Sequence, residues 1–364
     1  MPLITAFHYN CGAVFYYFKL FMKSTIITPH PATELHLRFV TDKDCGYSRI
    51  DRKGNFVYFY KQKPLIDHDI IDRIESLSIP PAWQDVWICK FKNGHIQVTG
   101  TDSLGRKQYI YHPEWSSLRN LKKFDRLCGF GKKLKLLREQ ITKDLRRKTL
   151  NKNKVCAIAL YTMDATHIRA GNKSYEKKYG SYGLTTLKNR HVIVDQNEVF
   201  FKFKGKKGVL QQVYLKEAKI ARMLKNVKEI PGQELFQYYD KSGTIQKLES
   251  GDINNYLKYT MLENYTCKDF RTWAGCTMAL KMMVSENYSE MASNRKKIMI
   301  SILESVAKQL GNTRSVTRKY YVHPELQKQY LDGTLAPIIA RLKKKTYTIQ
   351  IIEKAFLKFI HSLK

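Results

Sequence analysis

The spacing of apolar and polar residues follows two different periods along the chain. Residues 36–111 contain short runs rich in β-branched and aromatic side chains, separated by turn signals such as Lys92-Asn93-Gly94. One helix is expected at residues 66–77, where the pair Pro80-Pro81 follows and stops it. The runs predict three strands, at residues 37–40, 56–60 and 86–89.

From about residue 115 the apolar positions take on a helical period, with Leu118, Leu121, Phe124 and Leu127 recurring three residues apart. Lysines and arginines occupy the positions between them. A second basic amphipathic stretch, a charged loop and a further helix are predicted to follow, at residues 132–148, 146–154 and 155–169.

Residues 183–215 return to the strand pattern, with a hairpin tip at Gly205-Lys206-Lys207-Gly208. The strands are predicted at residues 192–194, 199–203 and 209–215. The rest of the chain is mainly helical, with helices expected at residues 215–226, 252–264, 269–286, 294–310 and 348–362.

These patterns predict an α+β protein with two domains. A small β-rich N-terminal domain is expected over residues 36–114. A larger, mostly helical domain with a small three-stranded sheet at 183–215 is expected over residues 115–364. Residues 1–35 are interpreted as an N-terminal extension. Translation starting at Met22 would leave residues 1–21 outside the native protein, and a signal peptide is the weaker alternative.

The charge balance points to a polyanionic partner. The chain has 64 basic and 32 acidic residues, a formal net charge of +32, and 43% apolar residues. That apolar content is enough to form a folded core, while such an excess of positive charge opposes compactness by self-repulsion. Nucleic acid is the leading candidate, an anionic membrane surface is the second, and a generally solvated basic surface is the third.

The sequence gives no reason to expect a cofactor or a metal. The seven cysteines are widely spaced and form no CxxC pair, which argues against a zinc site and a disulfide framework and favours a reducing compartment. The phosphate-binding pattern G-x-x-x-x-G-K-[ST] is missing, and no carboxylate cluster suggests magnesium.

Four segments hold the ingredients for cutting a phosphodiester without a metal: cations for the phosphate, a nucleophile and a proton donor. Each segment is weak by itself, because a single arginine or tyrosine in this chain is usually a surface or core residue. The segments are residues 166–172 with Arg169, the hairpin tip with Lys206, residues 268–274 with Arg271, and residues 310–324 with Asn312 and Tyr321.

In this order the four segments resemble those of type IB DNA topoisomerases, in particular the bacterial branch related to the small poxvirus enzyme. The resemblance extends over about residues 36–330. Further matching segments are IPPAWQDVWIC (79–89), GRKQYIYHP (105–113), YGLTTLK (182–188), PGQELFQY (231–238) and KDFRTWAG (268–275).

The resemblance implies a role for each candidate. Tyr321 corresponds to the nucleophile that forms a 3′-phosphotyrosyl bond and releases a 5′-hydroxyl. Arg169 and Arg271 correspond to the arginines that clamp the phosphate, and Lys206 to the lysine that protonates the leaving 5′-oxygen. Asn312 stands where the poxvirus and eukaryotic enzymes have histidine and the bacterial branch commonly has asparagine. The implied activity is relaxation of supercoiled duplex DNA without ATP or metal.

Tyr320 is a rival nucleophile next to Tyr321. Tyr321 is preferred because it lies nine residues after Asn312, which is the spacing in the family. A tyrosine recombinase would share this core, but recombinases typically have His-x-x-Arg where this chain has Lys268-Asp-Phe-Arg271. A non-catalytic DNA-binding protein of the same fold is the other alternative.

Further DNA contacts are expected at Lys107, Tyr109, Tyr111 and Lys268. Tyr109 and Tyr111 would share one face of a strand beside basic residues, although aromatic packing in a half-buried strand would give the same pattern. The basic helices between residues 116 and 154 are expected to contact phosphates. By analogy with the family, the protein is expected to act as a monomer that forms a C-shaped clamp around duplex DNA. A cytoplasmic location, at the nucleoid, and a bacterial or viral origin of the protein are also expected.

Overall fold

The computed structural model describes residues 36–52, 54–286, 288–344 and 348–363. The extension interpreted at residues 1–35, including the start at Met22, lies outside the described residues. The chain divides into two compact units between Leu121 and Lys122. In the described part of the chain, no helix is both long and apolar enough to cross a membrane.

The first unit is built on a six-stranded antiparallel sheet in the order β3-β2-β1-β4-β5-β6. Helix α1 (His68–Ser76) packs on it, and Asp67 caps the helix by accepting a hydrogen bond from the Ile70 amide at 3.2 Å. The strands are β1 (Gly46–Arg52), β2 (Asn55–Tyr60), β3 (Lys63–Pro64), β4 (Gln84–Cys89), β5 (Ile96–Thr101) and β6 (Lys107–Tyr111).

The prediction of a strand at residues 37–40 is wrong. This segment makes one isolated bridge, between Arg38 and Gly94, and the Val40 amide donates to the His95 side chain at 3.1 Å. The Val40 amide thus donates to a side chain instead of to the main-chain carbonyl that would continue the strand pairing. A strand was expected at Tyr109 and Tyr111, where β6 lies. The bounds of β1, β3 and β5 were not predicted, because pairing with neighbouring strands decides them.

The second unit is mostly helical and also contains the antiparallel sheet β7-β8-β9 and the hairpin β10–β11. Its strands are β7 (Val192–Val194), β8 (Glu198–Lys204), β9 (Leu210–Lys216), β10 (Gln237–Tyr239) and β11 (Ile245–Lys247). The helices after α1 are α2 (Pro113–Leu145), which begins in the first unit, α3 (Lys152–Thr166), α4 (Lys173–Tyr179), α5 (Ala218–Lys228), α6 (Ser250–Met261), α7 (Cys267–Ser285), α8 (Ala292–Leu310), α9 (Arg314–Tyr320), α10 (Pro324–Asp332), α11 (Ala336–Lys343) and α12 (Ile349–His361).

Helix α7 lies at the centre of the second unit. Nearly all of its residues are buried, including Phe270, Trp273 and Leu280. It begins at a capping box in which the Asp269 carboxylate accepts from the Thr266 amide at 2.8 Å and from its hydroxyl at 3.0 Å. Because the cap fixes the residue at which α7 begins, it also fixes which residues of the later turns face the neighbouring elements.

Two expectations around α3 need correction. The charged loop is shorter than predicted, because Asn151 caps a helix that begins at Lys152. The helix also ends at Thr166 rather than at residue 169, since His167 takes a left-handed conformation with φ 57°. Arg169 therefore lies in the segment after the helix. The two basic amphipathic stretches belong to one continuous helix, α2.

The three strands expected in the second unit lie within one residue of their predicted bounds, and the hairpin tip is a short 3₁₀ turn at Lys206–Gly208. The five later helices match α5, α6, α7, α8 and α12. Helices α4, α9, α10 and α11 were missed. They are short, and helices of that length are stabilised by tertiary packing rather than by a visible period.

Candidate active site

The second unit brings all five predicted catalytic residues to neighbouring clefts. One cleft, of about 860 Å³, is lined by Arg169, Lys206, Asn312 and Tyr321. An adjoining cleft shares Arg169, Lys206 and Tyr321 with it and adds Arg271. Residues that lie more than 150 positions apart in the sequence therefore face one space.

Arg169 is held by a close main-chain contact. Its carbonyl accepts from the Leu184 amide at 2.7 Å, and a Cβ placed on Gly183 would lie 2.6 Å from that carbonyl oxygen. Glycine at 183 is what permits this approach. The guanidinium of Arg169 donates to the Asn312 side-chain oxygen at 2.5 Å and to the Gly311 carbonyl at 3.3 Å.

Arg271 is the most buried of the candidate cations, with 5% of its surface exposed. It donates to the main-chain carbonyls of His167 and Leu310, which joins the end of α3 to the end of α8. Among the described residues its Nε–H has no partner. Burial, and then the nearby charge of Arg169, lower the pKa of Arg271, although a guanidinium still stays charged at neutral pH.

Tyr321 follows directly on α9, and its carbonyl accepts from the Cys276 thiol at 3.3 Å. Burial by itself would raise the pKa of the phenol. The charges of Arg271, Arg169 and Lys268 outweigh it, so the pKa of Tyr321 lies below its ordinary value of 10.0. The nearby positive charges therefore stabilise the phenolate form of Tyr321.

Tyr320 has a different environment. It is the last residue of α9 and is 37% exposed. Tyr321 lines both clefts, while Tyr320 is not among the residues that line either of them. Of the two neighbours, Tyr321 is therefore the one that lies among the cations of the clefts, with the Arg271 guanidinium 5.6 Å from the centre of its ring.

Lys206 projects from the hairpin tip between Gly205 and two residues in left-handed conformations, Lys207 at φ 61° and Gly208 at φ 78°. Loss of hydration, and then the charge of Arg169, lower the pKa of Lys206. A lowered pKa makes the ammonium a better proton donor.

Asn312 comes directly after Gly311, which ends α8 at φ 57°. Its side-chain oxygen accepts from Arg169, and its Nδ2 is buried without a partner among the described residues. A buried amide that lacks an acceptor costs free energy, so an anion in the cleft would offer it a partner. The position can donate a hydrogen bond but brings no charge.

Lys123, on α2, is a neighbour of the site that sequence reasoning missed. Its amine donates to the Tyr320 carbonyl and lies 4.9 Å from the centre of the Tyr321 ring. Burial, and then the charge of Lys268, lower the pKa of Lys123 to about 8. One lysine in a basic helix has no sequence signal that would single it out.

The predicted DNA contacts fall in both units. In the first unit, Tyr109 and Tyr111 lie on one face of β6 with their rings stacked 5.7 Å apart, and Tyr109 is 44% exposed. Lys107 forms an ion pair with Asp42, which also raises the pKa of that lysine. In the second unit, Lys268 is exposed in the first turn of α7 and lines the cleft that holds Arg271.

The arrangement suits a phosphodiester. Two guanidinium groups and an ammonium can balance its negative charge, an amide can donate to an oxygen, and a phenol of lowered pKa can attack phosphorus. In the described part of the chain, no group of three or more His, Cys, Asp or Glu side chains could hold a metal ion.

Comparison with known proteins identifies two matching family models. The catalytic core of eukaryotic DNA topoisomerase I matches residues 112–347, and the N-terminal domain of bacterial DNA topoisomerase IB matches residues 55–102. Among curated relatives, DNA topoisomerase 1B of Acanthamoeba polyphaga mimivirus is 33% identical over 286 residues, covering 76% of this chain and 85% of the relative. DNA topoisomerase 1B of Vaccinia virus (strain Copenhagen) is 23% identical over 247 residues, covering 66% of this chain and 74% of the relative.

Proposed function

This chain belongs to the type IB DNA topoisomerases, and on that premise we propose how its own residues carry out DNA relaxation. The Tyr321 phenolate oxygen attacks phosphorus and forms the 3′-phosphotyrosyl bond. The bond from phosphorus to the 5′-oxygen breaks, and Lys206 gives that oxygen its proton, which leaves a 5′-hydroxyl. The free strand rotates, and the 5′-hydroxyl then attacks phosphorus in the reverse reaction to reseal the DNA.

The arginines and Asn312 stabilise the charge that develops at phosphorus. Arg271 is fixed by two main-chain carbonyls and Arg169 by Asn312, so both forks are oriented before the substrate arrives. Donors that are oriented in advance contribute more than mobile ones, because they need no rearrangement in the transition state. The Nδ2 of Asn312 supplies a neutral donor to a non-bridging oxygen.

The reaction needs neither ATP nor a metal in this proposal. The phosphotyrosyl bond conserves the energy of the broken phosphodiester, so resealing requires no second energy source. The positive charge that balances the phosphate comes from the side chains of Arg169, Arg271 and Lys206, and Lys268 lines the same cleft. The single observation that carries the assignment is the convergence of Arg271, Arg169 and Lys268 on Tyr321, the phenol whose pKa these three residues lower.

We further propose that one copy of the chain closes around duplex DNA as a C-shaped clamp. The second unit would have the catalytic fold shared by tyrosine recombinases and type IB topoisomerases, and the first unit would contact DNA through Lys107, Tyr109 and Tyr111. The net charge of +32 supports a large phosphate interface. The viral relatives support a viral origin, and DNA in the cytoplasm would be the substrate.

The test is relaxation of supercoiled plasmid in EDTA without ATP. Wild type and Tyr320→Phe should relax the DNA, and Tyr321→Phe should not. A covalent complex trapped with denaturant should carry the DNA 3′ end on the peptide that contains Tyr321. A requirement for magnesium, or activity that survives Tyr321→Phe but not Tyr320→Phe, would contradict the mechanism.

A further inference from the structure

Gln211, on the edge strand β9, packs against two glycines from separate parts of the site. A Cβ placed on Gly311 would lie 2.7 Å from the Gln211 side-chain oxygen and 3.1 Å from its nitrogen. A Cβ placed on Gly205 would lie 2.8 Å from the Gln211 Cγ. These distances are shorter than ordinary contacts, so the side chain fills the space that both glycines leave open.

Each glycine immediately precedes a residue of the proposed mechanism. Gly205 precedes Lys206, and Gly311 precedes Asn312. The Gly311 carbonyl also accepts from Arg169. Gln211 therefore lies between two main-chain segments. One, at Gly205, carries the proton donor Lys206, and the other, at Gly311, holds the guanidinium of Arg169.

The hairpin tip needs such a contact. Lys206 is a long side chain on a turn whose next two residues, Lys207 and Gly208, are both in left-handed conformations. The turn is closed by the Gly205 amide, which donates to the Val209 carbonyl at 2.8 Å. This bond fixes the turn within the hairpin but leaves its distance from α8 undetermined. The Gln211 side chain lies across that distance.

We propose that Gln211 is a positioning residue that holds the Lys206 hairpin in register with Asn312 and Arg169, so that the ammonium reaches the leaving 5′-oxygen. The inference rests on the proposed roles of these three residues. Gln211 acts by filling space, since the close contacts involve its Cγ as well as its amide atoms. A side chain of the same length without the amide should therefore replace it.

The experiment compares single-turnover cleavage of two DNA duplexes by the full chain. One carries the ordinary 5′-oxygen at the cleavage site, and the other carries a 5′-bridging sulfur. A thiol has a pKa of about 8.5, so sulfur leaves as the thiolate without needing a proton, whereas the alcohol oxygen needs one. Loss of the proton donor, or of its position, slows the first substrate and spares the second.

Gln211→Ala should slow cleavage of the oxygen substrate by about 10- to 100-fold, the effect of a misplaced reacting group. It should cleave the sulfur substrate at close to the wild-type rate. Gln211→Met should keep near wild-type rates on both substrates. Gln196→Ala, an exposed glutamine in the β7–β8 turn, is the matched control and should change neither rate.

Two reference variants separate this inference from the proposed function. Lys206→Ala should be rescued by sulfur, and Arg271→Ala, which lacks part of the clamp, should stay slow on both substrates. If sulfur fails to rescue Lys206→Ala, the proton-donor assignment itself is wrong. If Lys206→Ala is rescued while Gln211→Ala is equally slow on both substrates, or is not slow on either, the positioning role of Gln211 is overturned. A Met variant as slow as Ala would also overturn it.

Discussion

Gly275 lies directly against the main chain of Tyr321. A Cβ placed on Gly275 would come within 2.5 Å of the Tyr321 carbonyl oxygen and 3.1 Å of its Cβ. Glycine inside a helix costs about 1 kcal/mol relative to alanine, yet α7 carries one at this buried position. The main chain of Tyr321 takes the space that any side chain would need.

Gly275→Ala should displace Tyr321 and slow DNA cleavage by about 100-fold, because a shift of about 1 Å in a reacting group has an effect of that size. Single-turnover cleavage measures it. The control is Gly251→Ala in α6, where an added Cβ meets nothing within 4 Å. That variant should cleave normally and unfold at the same or a slightly higher temperature. Normal cleavage by Gly275→Ala would show that the site tolerates the displacement.

Lys268→Met should move the whole pH profile of cleavage to higher pH. Tyr321 attacks as the phenolate, so cleavage rises with pH through the pKa of Tyr321, and nearby positive charges lower that pKa. Lys206 acts as the ammonium, so cleavage falls as pH rises through the pKa of Lys206, which the charge of Lys268 also lowers. Removing the charge of Lys268 raises both pKa values.

Single-turnover rates between about pH 6 and 10 give both limbs of the profile. Lys258→Met, which removes an exposed charge from α6, is the control and should leave the profile in place. Limbs that moved in opposite directions would mean that Lys268 does not act on Tyr321 and Lys206 through its charge.

Asp42→Asn should tighten DNA binding by about two- to fivefold at low salt, the size expected when an exposed ion pair is broken. Asp42 pairs with Lys107, and without it the ammonium is free for a phosphate. The gain should disappear at high salt and in the Lys107→Ala background. Equilibrium binding to a duplex measures it. Unchanged affinity at low salt would remove Lys107 from the DNA interface.

Glu353→Ala should lower the free energy of unfolding by about 2–3 kcal/mol, since it leaves the buried Trp273 N–H without an acceptor and removes both hydrogen bonds of the partly buried Arg138 fork. Glu353, on α12, accepts from Arg138 at 2.7 and 2.9 Å and from the Trp273 ring nitrogen at 3.0 Å, and it is 9% exposed. The C-terminal helix is thereby fixed to α2 and α7. Urea unfolding measures the change.

The matched control is Glu304→Ala, which breaks an ion pair with Arg314. Both side chains of that pair are more than half exposed, so the loss should be no more than about 1 kcal/mol. Equal effects of the two substitutions would mean that the Glu353 contacts do not anchor the helix.

The local pattern of apolar residues was sufficient to predict the bounds of those elements that are long enough to show a period. Helices α7 and α8 and the hairpin around Lys206 lie close to their predicted bounds, because burial of one face imposes a spacing that the residues themselves display. The segment at residues 37–40 has the composition of a strand but pairs at only one point. Pairing requires a partner that local sequence does not specify.

The sequence by itself determined the family and the five candidate catalytic residues, since these depend on residue types in a given order. Its excess of positive charge indicated a polyanionic partner. Only the tertiary structure decided the surroundings of those residues. Gly275 beneath Tyr321, Gln211 between two glycines and Lys123 above the Tyr321 ring all come from elements distant in sequence. Such contacts depend on packing in three dimensions, which leaves no period or spacing in the chain.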